Sequence, residues 1–240
     1  GTPIAITAGG YHTCALLQGG AVQCWGRNNQ GQLGLGNTVD RGDNPNEMGA
    51  NLPTVSLGAG RTATAVTAGV DFTCARLNGG AVKCWGNNAH GESGVGDTLD
   101  RGDAANEMGD ALPFTSLGSG VTATAVSAGG HHVCALLSTG SLKCWGYNST
   151  GELGVGATDS RGDAPNEMGT NLPAVSLGSG RTATGVSAGL AHTCAELDDH
   201  SVKCWGANTG RLGLGTVDAR GDAPNEMGNA LPAVLLGTNR

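Results

Sequence analysis

The amino-acid sequence predicts an all-β protein, a β-propeller whose blades each contain four strands. The 240 residues repeat one pattern four times, with 60 residues between the equivalent cysteines Cys14, Cys74, Cys134 and Cys194. Repeats of this length with strand-like content are typical of units that stack or surround an axis. Glycine supplies 44 of the residues, which favours short strands joined by tight turns. We predict one repeat domain over residues 1–240, with blades at approximately 1–60, 61–120, 121–180 and 181–240.

The strands of one blade follow from local patterns. Residues 62–68 of the second repeat alternate small and apolar side chains and predict a first strand. The next two strands form a hairpin, which in the first repeat joins residues 11–17 to residues 21–25 through a turn at 18–20. A long polar loop follows, and residues 112–118 predict a fourth strand. Four short strands in one repeat, without helical periodicity, are typical of a propeller blade.

Each predicted hairpin carries two cysteines on facing strands. The pairs are Cys14 with Cys24, Cys74 with Cys84, Cys134 with Cys144, and Cys194 with Cys204. Gly19 is the midpoint of the first pair and lies in the turn, so the closed hairpin would set the two sulfur atoms opposite each other. Disulfide bonds are the favoured interpretation, and zinc ligation or reduced structural thiols are the alternatives. Because disulfides imply an oxidising compartment, we expect a secreted or cell-surface protein.

Charge and hydropathy narrow the choice of partners. The net charge of −7 is spread along the chain without a basic block, so nucleic acid is not the expected partner. No run of 18 apolar residues is present, and we expect no membrane span. Residues 1–4 show no signal-peptide pattern. The expected partner is a protein or further copies of the same chain.

Three phrases of the repeat carry a family resemblance. In the first repeat they are residues 8–16 (AGGYHTCAL), 25–28 (WGRN) and 31–36 (GQLGLG), and they recur in all four repeats. The chain resembles the regulator of chromosome condensation family, in particular bacterial, cysteine-containing versions of its repeat. It departs from the pattern at Phe72, where the family has histidine, at Ser93, where it has leucine, and near residues 208–210, where the fourth repeat is one residue shorter.

The resemblance implies a β-propeller, in a family whose rings have seven repeats. It does not fix one function, because the fold serves as a scaffold for many. The nuclear member is a nucleotide-exchange factor for a small GTPase that also contacts chromatin, roles that do not suit an acidic, disulfide-rich chain. A secreted bacterial relative inhibits β-lactamases through one propeller face. We expect a non-catalytic module for protein binding or adhesion; the alternatives are a structural subunit that self-assembles into an extracellular ring, filament or surface layer, and a secreted enzyme inhibitor.

The long loop contains an insertion that recurs almost verbatim, as residues 40–49 (DRGDNPNEMG), 101–109, 161–169 and 220–228. Its oxygen-bearing side chains define a candidate calcium site in each repeat, formed by Asp43, Asn46 and Glu47, by Asp103, Asn106 and Glu107, by Asp163, Asn166 and Glu167, and by Asp222, Asn225 and Glu226. The alternative is a structural turn in which the arginine pairs with an acidic residue and Met48 fills an apolar gap. Calcium is the only cofactor suggested. The Arg-Gly-Asp tripeptide resembles an integrin-recognition motif, although a repeated structural element gives the same four copies.

Nothing in the sequence predicts catalysis. His12, His132 and His192 recur at one position near a cysteine, but the cysteines are assigned to pairs and supply no free thiolate. We expect these histidines to bond to backbone carbonyls of the next blade. His90 and His200 are isolated in the sequence. The chain is therefore predicted not to be an enzyme.

Two positions vary where the rest of the repeat is constant. One carries Tyr11, Asp71, His131 and Ala191, and the other carries Arg27, Asn87, Tyr147 and Ala207. Variation of this kind is expected at the mouths of blades, where loops carry binding functions. The candidate binding residues are Tyr11, Arg27, Asp71, His131 and Tyr147.

The number of repeats leaves the closure of the propeller open. There are three alternatives: four blades close into a narrow ring, they are a segment of a larger ring, or they are a subunit that continues into copies of itself.

Overall fold

The computed structural model describes residues 1–237, which form twelve β-strands in four antiparallel sheets. The strands are β1 (Pro3–Ala8), β2 (His12–Leu17), β3 (Val22–Gly26), β4 (Ala63–Ala68), β5 (Phe72–Leu77), β6 (Val82–Gly86), β7 (Ala123–Ala128), β8 (His132–Leu137), β9 (Leu142–Gly146), β10 (Ala183–Ala188), β11 (His192–Leu197) and β12 (Val202–Gly206). Two single 3-10 turns, Gly49–Asn51 and Gly109–Ala111, lie in the long loops. Within residues 1–237 no helix has the length and apolarity to cross a bilayer. The all-β prediction is confirmed.

Each sheet is one blade of three strands in sequence order, with the predicted hairpin at its centre. In the first blade Cys14 lies opposite Cys24 in the β2–β3 register, and the other three blades repeat this register. The structure bonds the cysteines in the predicted pairs: Cys14–Cys24, Cys74–Cys84, Cys134–Cys144 and Cys194–Cys204. Each bridge joins strands that are already paired, so it reinforces one blade and does not link two.

The predicted fourth strand is wrong. The segments at residues 52–57 and 112–117 are extended, but each donates a single backbone hydrogen bond to the third strand of its blade, from Val55 to Val22 (2.8 Å) in the first blade and from Thr115 to Val82 (2.9 Å) in the second. Pro53 and Pro113 remove one backbone donor from each segment.

Carbonyls of this segment bond to the next blade. The carbonyl of Ser56 accepts a hydrogen bond from the amide of Gly109 (3.0 Å). The ammonium of Lys83 donates to the carbonyls of Leu57 (3.1 Å) and Gly109 (2.7 Å). The outer segment of each of the first three blades is therefore a strap between blades, and this use of its backbone prevents a ladder within its own blade.

Apolar cores lie between consecutive blades. The buried cluster between the first two blades includes Leu16, Val22, Leu57, Leu77 and Trp85, and two further clusters repeat it at the next junctions. At each junction a tryptophan of one blade donates its indole N–H to a loop carbonyl of the preceding blade: Trp85 to Gln32 (3.1 Å), Trp145 to Glu92 (2.9 Å) and Trp205 to Glu152 (3.0 Å). Polar pairing of a buried indole in this way fixes the orientation of one blade on the next.

A second pair of side chains spans each junction. His12 Nε2 lies 2.7 Å from Thr73 Oγ1, and His132 Nε2 lies 2.9 Å from Thr193 Oγ1. The expectation of a carbonyl partner is wrong in this detail, because the ring nitrogen bonds to a threonine hydroxyl, which donates its own proton to a loop carbonyl and so accepts from the ring. Between the second and third blades both partners change together, and the apolar Phe72 and Val133 take the two positions in one cluster.

The four blades form an open arc, because the outer faces of the first and last blades lack the cover that the inner blades have. Leu57, Leu117 and Leu177 are 5–6% exposed, whereas the equivalent Leu236 is 77% exposed. On the first blade Ile6 is 70% exposed, while the equivalent Val66 is partly buried. No buried cluster among residues 1–237 joins the fourth blade to the first.

Removing one disulfide is expected to destabilise its blade without disrupting the hairpin. Replacing Cys74 and Cys84 together with alanine opens a loop with a sequence separation of 10, which the chain-entropy model values at about 2–3 kcal/mol of unfolding free energy. Urea unfolding followed by circular dichroism measures the loss. Dithiothreitol should lower the unfolding free energy of the parent by more than that of the variant, so that the two values move closer. An equal drop in both proteins would contradict a contribution from this bridge.

Candidate functional site

The variable positions lie together at one edge of the arc, which we call the loop face and define by residues 11, 27, 71, 87, 131, 147, 191 and 207. In the first blade His12 pairs with Gly26 at the end of the hairpin, so the preceding Tyr11 and the following Arg27 are neighbours. Their backbones are joined by a hydrogen bond from the Arg27 amide to the Tyr11 carbonyl (2.9 Å), and the other three blades repeat it. The hairpin turns lie at the opposite ends of the same strands.

The first blade presents an exposed aromatic–cation pair on this face. The guanidinium carbon of Arg27 lies 5.1 Å from the centroid of the Tyr11 ring. Tyr11 is 57% exposed, so the pair is accessible to a partner. Stacking on the guanidinium restricts the tyrosine ring without covering it, which lowers the entropy that binding would cost.

The second and third blades contribute a cluster of three rings around a buried carboxylate. The rings of His90 and Tyr147 lie 4.6 Å apart, and His131 lies 5.9 Å from His90. His131 Nδ1 is 3.6 Å from Oε1 of Glu92, whose side chain is fully buried. The nearby carboxylate of Glu92 raises the pKa of His131, and partial burial opposes this shift. The imidazole can therefore carry a positive charge closer to neutral pH than an isolated histidine can.

Two members of this cluster were not predicted from the sequence. His90 was expected to be isolated, and Glu92 received no role. Both lie in the long loop of the second blade, which brings them to His131 and Tyr147 of the third blade. Because each long loop packs on the following blade, pairing the loop of one repeat with the hairpin of the next would have predicted the contact between Glu92 and His131.

The loop face has fewer aromatic and charged side chains towards the fourth blade. Asp71 is half-buried and accepts a hydrogen bond from the side chain of Gln32 (3.0 Å). At the end of the row the same positions hold Ala191 and Ala207. Aromatic and charged groups are thus confined to the first three blades, which leaves the fourth blade without polar specificity at this edge.

The candidate calcium residues lie in a loop that bonds mainly to itself. In the second blade Glu107 Oε2 accepts hydrogen bonds from the amides of Gly102 (2.9 Å) and Ala104 (3.0 Å). Burial, and then the neighbouring carboxylate of Glu107, raise the pKa of Asp103. Asn106 has φ 68°, and its equivalents Asn46, Asn166 and Asn225 share this left-handed conformation.

The same capping recurs in the other blades, through Glu47, Glu167 and Glu226. Arg161 and Arg220 lie 3.5 and 3.6 Å from the glutamates of their own loops. These contacts match the arginine pairing of the structural turn given as the alternative, whereas Met48, expected to fill an apolar gap, is 41% exposed. Within residues 1–237 no group of three or more His, Cys, Asp and Glu side chains is placed to hold a metal ion. Calcium binding through the mixed Asp, Asn and Glu set stays a prediction.

The Arg-Gly-Asp tripeptide packs against the preceding blade in three of its four copies. A Cβ on Gly31 would lie 2.3 Å from the amide of Asp103, and Gly36 donates its amide to the carbonyl of Gly102 (2.9 Å). Gly102, Gly162 and Gly221 are buried, whereas Gly42 of the first blade is exposed. The tripeptide therefore serves the packing of blades, which explains its repetition.

Comparison with known proteins places the chain in a family. The model of the regulator of chromosome condensation (RCC1) repeat matches residues 4–32, 63–92 and 123–152, and a second model of the same repeat matches residues 19–76. The chain therefore belongs to the RCC1 repeat family. The resemblance carried by the three phrases of the repeat is confirmed.

Relatives of this RCC1 chain are longer proteins. It is 32% identical over 215 residues to the ultraviolet-B receptor UVR8 of Arabidopsis thaliana. The aligned region covers 88% of this chain and 43% of the receptor. It is 34% identical over 152 residues to the mitochondrial RCC1 domain-containing protein RUG3 of the same plant, covering 62% and 32% of the two chains. The chain thus spans less than half the length of these relatives.

Solved structures share its fold. Yeast RCC1 (Prp20), in a complex with Kap60, superposes with a TM-score of 0.70 at 20% identity, over 99% of this chain and 50% of that one. Human WBSCR16 gives a TM-score of 0.69 at 22% identity, over 98% and 53%. The four blades match about half of each of these larger RCC1-type folds, as an open arc requires.

Proposed function

We propose that this RCC1 chain is a non-catalytic protein-binding module of an oxidising, extracellular or cell-surface compartment, and that its partner contacts the loop face. The observation that carries the proposal is the distribution of differences among the repeats. Four repeats that agree in their cores and turns differ at Tyr11, Arg27, His131 and Tyr147, and these residues lie at one accessible edge.

The residue types at this edge suit recognition of a protein. Tyrosine and arginine are enriched among residues that dominate interface energies, because they combine large area with directional polar groups. The Tyr11–Arg27 pair and the His90–Tyr147 pair are each held by a neighbouring ring or cation. Such restraint favours a pre-formed surface and a partner that offers both apolar and acidic groups.

The relatives support this reading in general terms. The yeast RCC1 structure is a complex with the protein Kap60, so an RCC1 fold serves protein binding there. The four disulfides support the compartment, because bonds of this kind persist where the surroundings are oxidising. Adhesion and enzyme inhibition are particular uses of the same face. A structural, self-assembling subunit is the second candidate, since nearly identical repeats can pack on further copies of themselves.

The proposal is tested with a loop-face variant and a matched control from the opposite edge. Arg27→Ala with Tyr147→Ala removes the centres of both ring clusters, whereas Gln18→Ala with Ser138→Ala changes exposed hairpin turns. Proteins of the native surroundings are enriched on the parent chain under non-reducing conditions, and the binding of each purified candidate is then measured by calorimetry. We expect the loop-face variant to bind at least about 10-fold more weakly and the control to bind as the parent does.

Equal affinity of the loop-face variant for every purified partner would overturn the assignment of this face. Circular dichroism and thermal unfolding of both variants establish that a loss of binding does not come from a loss of structure.

A further inference from the structure

Two histidines of neighbouring blades lie together at the junction between the second and third blades. His90 lies in the long loop of the second blade, and His131 precedes β8 of the third. Their ring centroids are 5.9 Å apart, with the ring planes at 77°. At the equivalent positions the other junctions within residues 1–237 hold Gln30 with Asp71, and Thr150 with Ala191. The pair of imidazoles is therefore particular to this junction.

A buried carboxylate orients one of the two rings. The side chain of Glu92 is fully buried, and its Oε1 lies 3.6 Å from Nδ1 of His131. Both atoms are buried, and neither has a hydrogen-bond partner within residues 1–237. The negative charge favours the tautomer of His131 with its proton on Nδ1, because that N–H faces the carboxylate. Nε2 then carries a lone pair that can bind a metal ion.

The lone pair of His131 lies on the accessible edge of the ring. The side chain is 40% exposed although Nδ1 is buried, so the exposed edge is the one away from Glu92, which carries Nε2. The amide of His90 donates to Oε2 of Glu92 (2.9 Å), so one carboxylate restrains the backbone of one histidine and the ring of the other. The ring of Tyr147 packs on His90, with centroids 4.6 Å apart, and limits its rotation.

The separation of the two rings suits a single transition-metal ion. An imidazole nitrogen binds Zn²⁺ at about 2.0–2.1 Å, which sets the centres of two rings on one ion roughly 5–6 Å apart. The surrounding charges favour a cation, since Glu92 and Asp71 act on His131, and Asp163 is close enough to interact with His90. A histidine that binds a metal typically donates its other ring N–H to a carboxylate, as His131 can to Glu92.

We propose that His90 and His131 bind a divalent transition-metal ion of the zinc type, with Glu92 as the residue that positions His131. Within residues 1–237 no group of three His, Cys, Asp and Glu side chains is placed to hold a metal ion, so the site has two protein ligands and water takes the other positions. Nitrogen ligands select Zn²⁺, Ni²⁺ or Cu²⁺ over Ca²⁺. The site is therefore distinct from the candidate calcium loops, and it does not depend on the proposed binding function.

A metal ion at this place joins two blades. This junction has the apolar Phe72 and Val133 where the other two have a histidine–threonine hydrogen bond. An ion held by His90 and His131 supplies a polar link across it. Because the ion binds the folded arrangement in preference to the unfolded chain, it raises the temperature of unfolding.

The test titrates Zn²⁺ into chelator-treated protein by calorimetry, without reductant and with Ca²⁺ in excess. The variants use residues that other repeats carry at the same positions, so the fold accepts them: His90→Gln as in Gln30, His131→Ala as in Ala191, and Glu92→Gln as in Gln32.

The matched control is His200→Asn. His200 Nδ1 also lies 3.6 Å from a glutamate oxygen, that of Glu196, but both side chains are exposed. Asparagine suits the positive φ of 63° at this residue.

We expect the parent to bind one Zn²⁺ per chain and to unfold at a higher temperature with the ion. Glu92→Gln should weaken binding about 10- to 100-fold, the usual effect of losing the partner of a metal-bound histidine. His90→Gln and His131→Ala should weaken it by more, because each removes a ligand. The control should bind as the parent does.

The ring nitrogens of His131 report separately on the positioning by Glu92. The side chain of Gln32 accepts from an amide through its oxygen and donates its NH₂ to Asp71. In Glu92→Gln the new NH₂ should likewise face Nδ1 of His131 and move the ring proton to Nε2. Nitrogen-15 NMR of the metal-free proteins detects this exchange, which a purely structural role of Glu92 would not produce.

A parent that binds no Zn²⁺ overturns the proposal. So does binding that His90→Gln and His131→Ala leave unchanged, or that His200→Asn abolishes, since the ion would then lie elsewhere. An unchanged tautomer in Glu92→Gln overturns the role of Glu92. Thermal unfolding with chelator, in which every variant should match the parent, establishes that lost binding does not come from lost structure.

Discussion

Replacing Trp145 with alanine is expected to lower the free energy of unfolding by about 3–5 kcal/mol. The indole is fully buried between the second and third blades, and its N–H donates to the carbonyl of Glu92 (2.9 Å). At this junction Val133 takes the place of the threonine that elsewhere donates to the equivalent carbonyl. The alanine variant therefore creates a cavity and removes a polar contact at once.

Trp25→Ala is the matched control for this substitution. The same residue type occupies the same position of the first blade, but it is partly exposed on an uncovered face. Water fills the space it leaves, so only the transfer of partly buried surface is lost, about 1–2 kcal/mol. Urea unfolding at low protein concentration, followed by circular dichroism, compares the two. Equal losses would mean that the first blade is covered and the arc is closed.

The hairpins could be predicted from the sequence because their signals are local. Gly19 lies midway between Cys14 and Cys24, and this symmetry fixes the register before any tertiary contact is known. The predicted strand at residues 112–118 failed for the opposite reason. Its alternation was visible, but its backbone bonds are taken by the next blade, through groups such as Lys143, which lies 26 residues further along the chain from Leu117.

The position of the loop face could be predicted from the sequence, but not all of the residues that form it. Repeats aligned on one another revealed where Tyr11, Asp71 and His131 vary. They did not reveal that Glu92 and His90 belong to the same cluster, because these residues vary at other columns and meet His131 only across a junction. The joint change of Phe72 and Val133 was a usable signal of such neighbours, since a pair that changes together indicates contact.

Acid is expected to destabilise the protein through the buried histidines at the blade junctions. Burial lowers the pKa of His12 to about 4 and that of His132 to about 3. Both therefore stay neutral in the fold at pH 5, while in the unfolded chain a histidine with the ordinary value of 6.5 is largely protonated. Because the unfolded state binds more protons, stability falls as the pH drops below 6.5.

The size of this loss of stability follows from the difference between pH 5 and the ordinary histidine pKa of the unfolded chain. Each histidine should cost about 2 kcal/mol of unfolding free energy between pH 7.5 and pH 5, from about 1.4 kcal/mol per pH unit. The raised pKa of His131 acts with the opposite sign, since its ion pair with Glu92 is complete only at low pH. The net loss in the parent therefore contains terms of both signs, and a comparison of variants is needed to isolate the junction pairs.

The chain supplies its own acid-insensitive junction as the comparison. His12→Phe with Thr73→Val converts the first junction to the Phe72–Val133 type, and we expect the loss between pH 7.5 and pH 5 to shrink by about 2 kcal/mol. Phe72→His with Val133→Thr makes the reverse change at the second junction and should enlarge the loss by a similar amount. Urea unfolding of all three proteins at both pH values gives the differences, in which His131 and the carboxylates cancel. An unchanged loss in the first variant would show that His12 is solvated and that acid acts elsewhere in the arc.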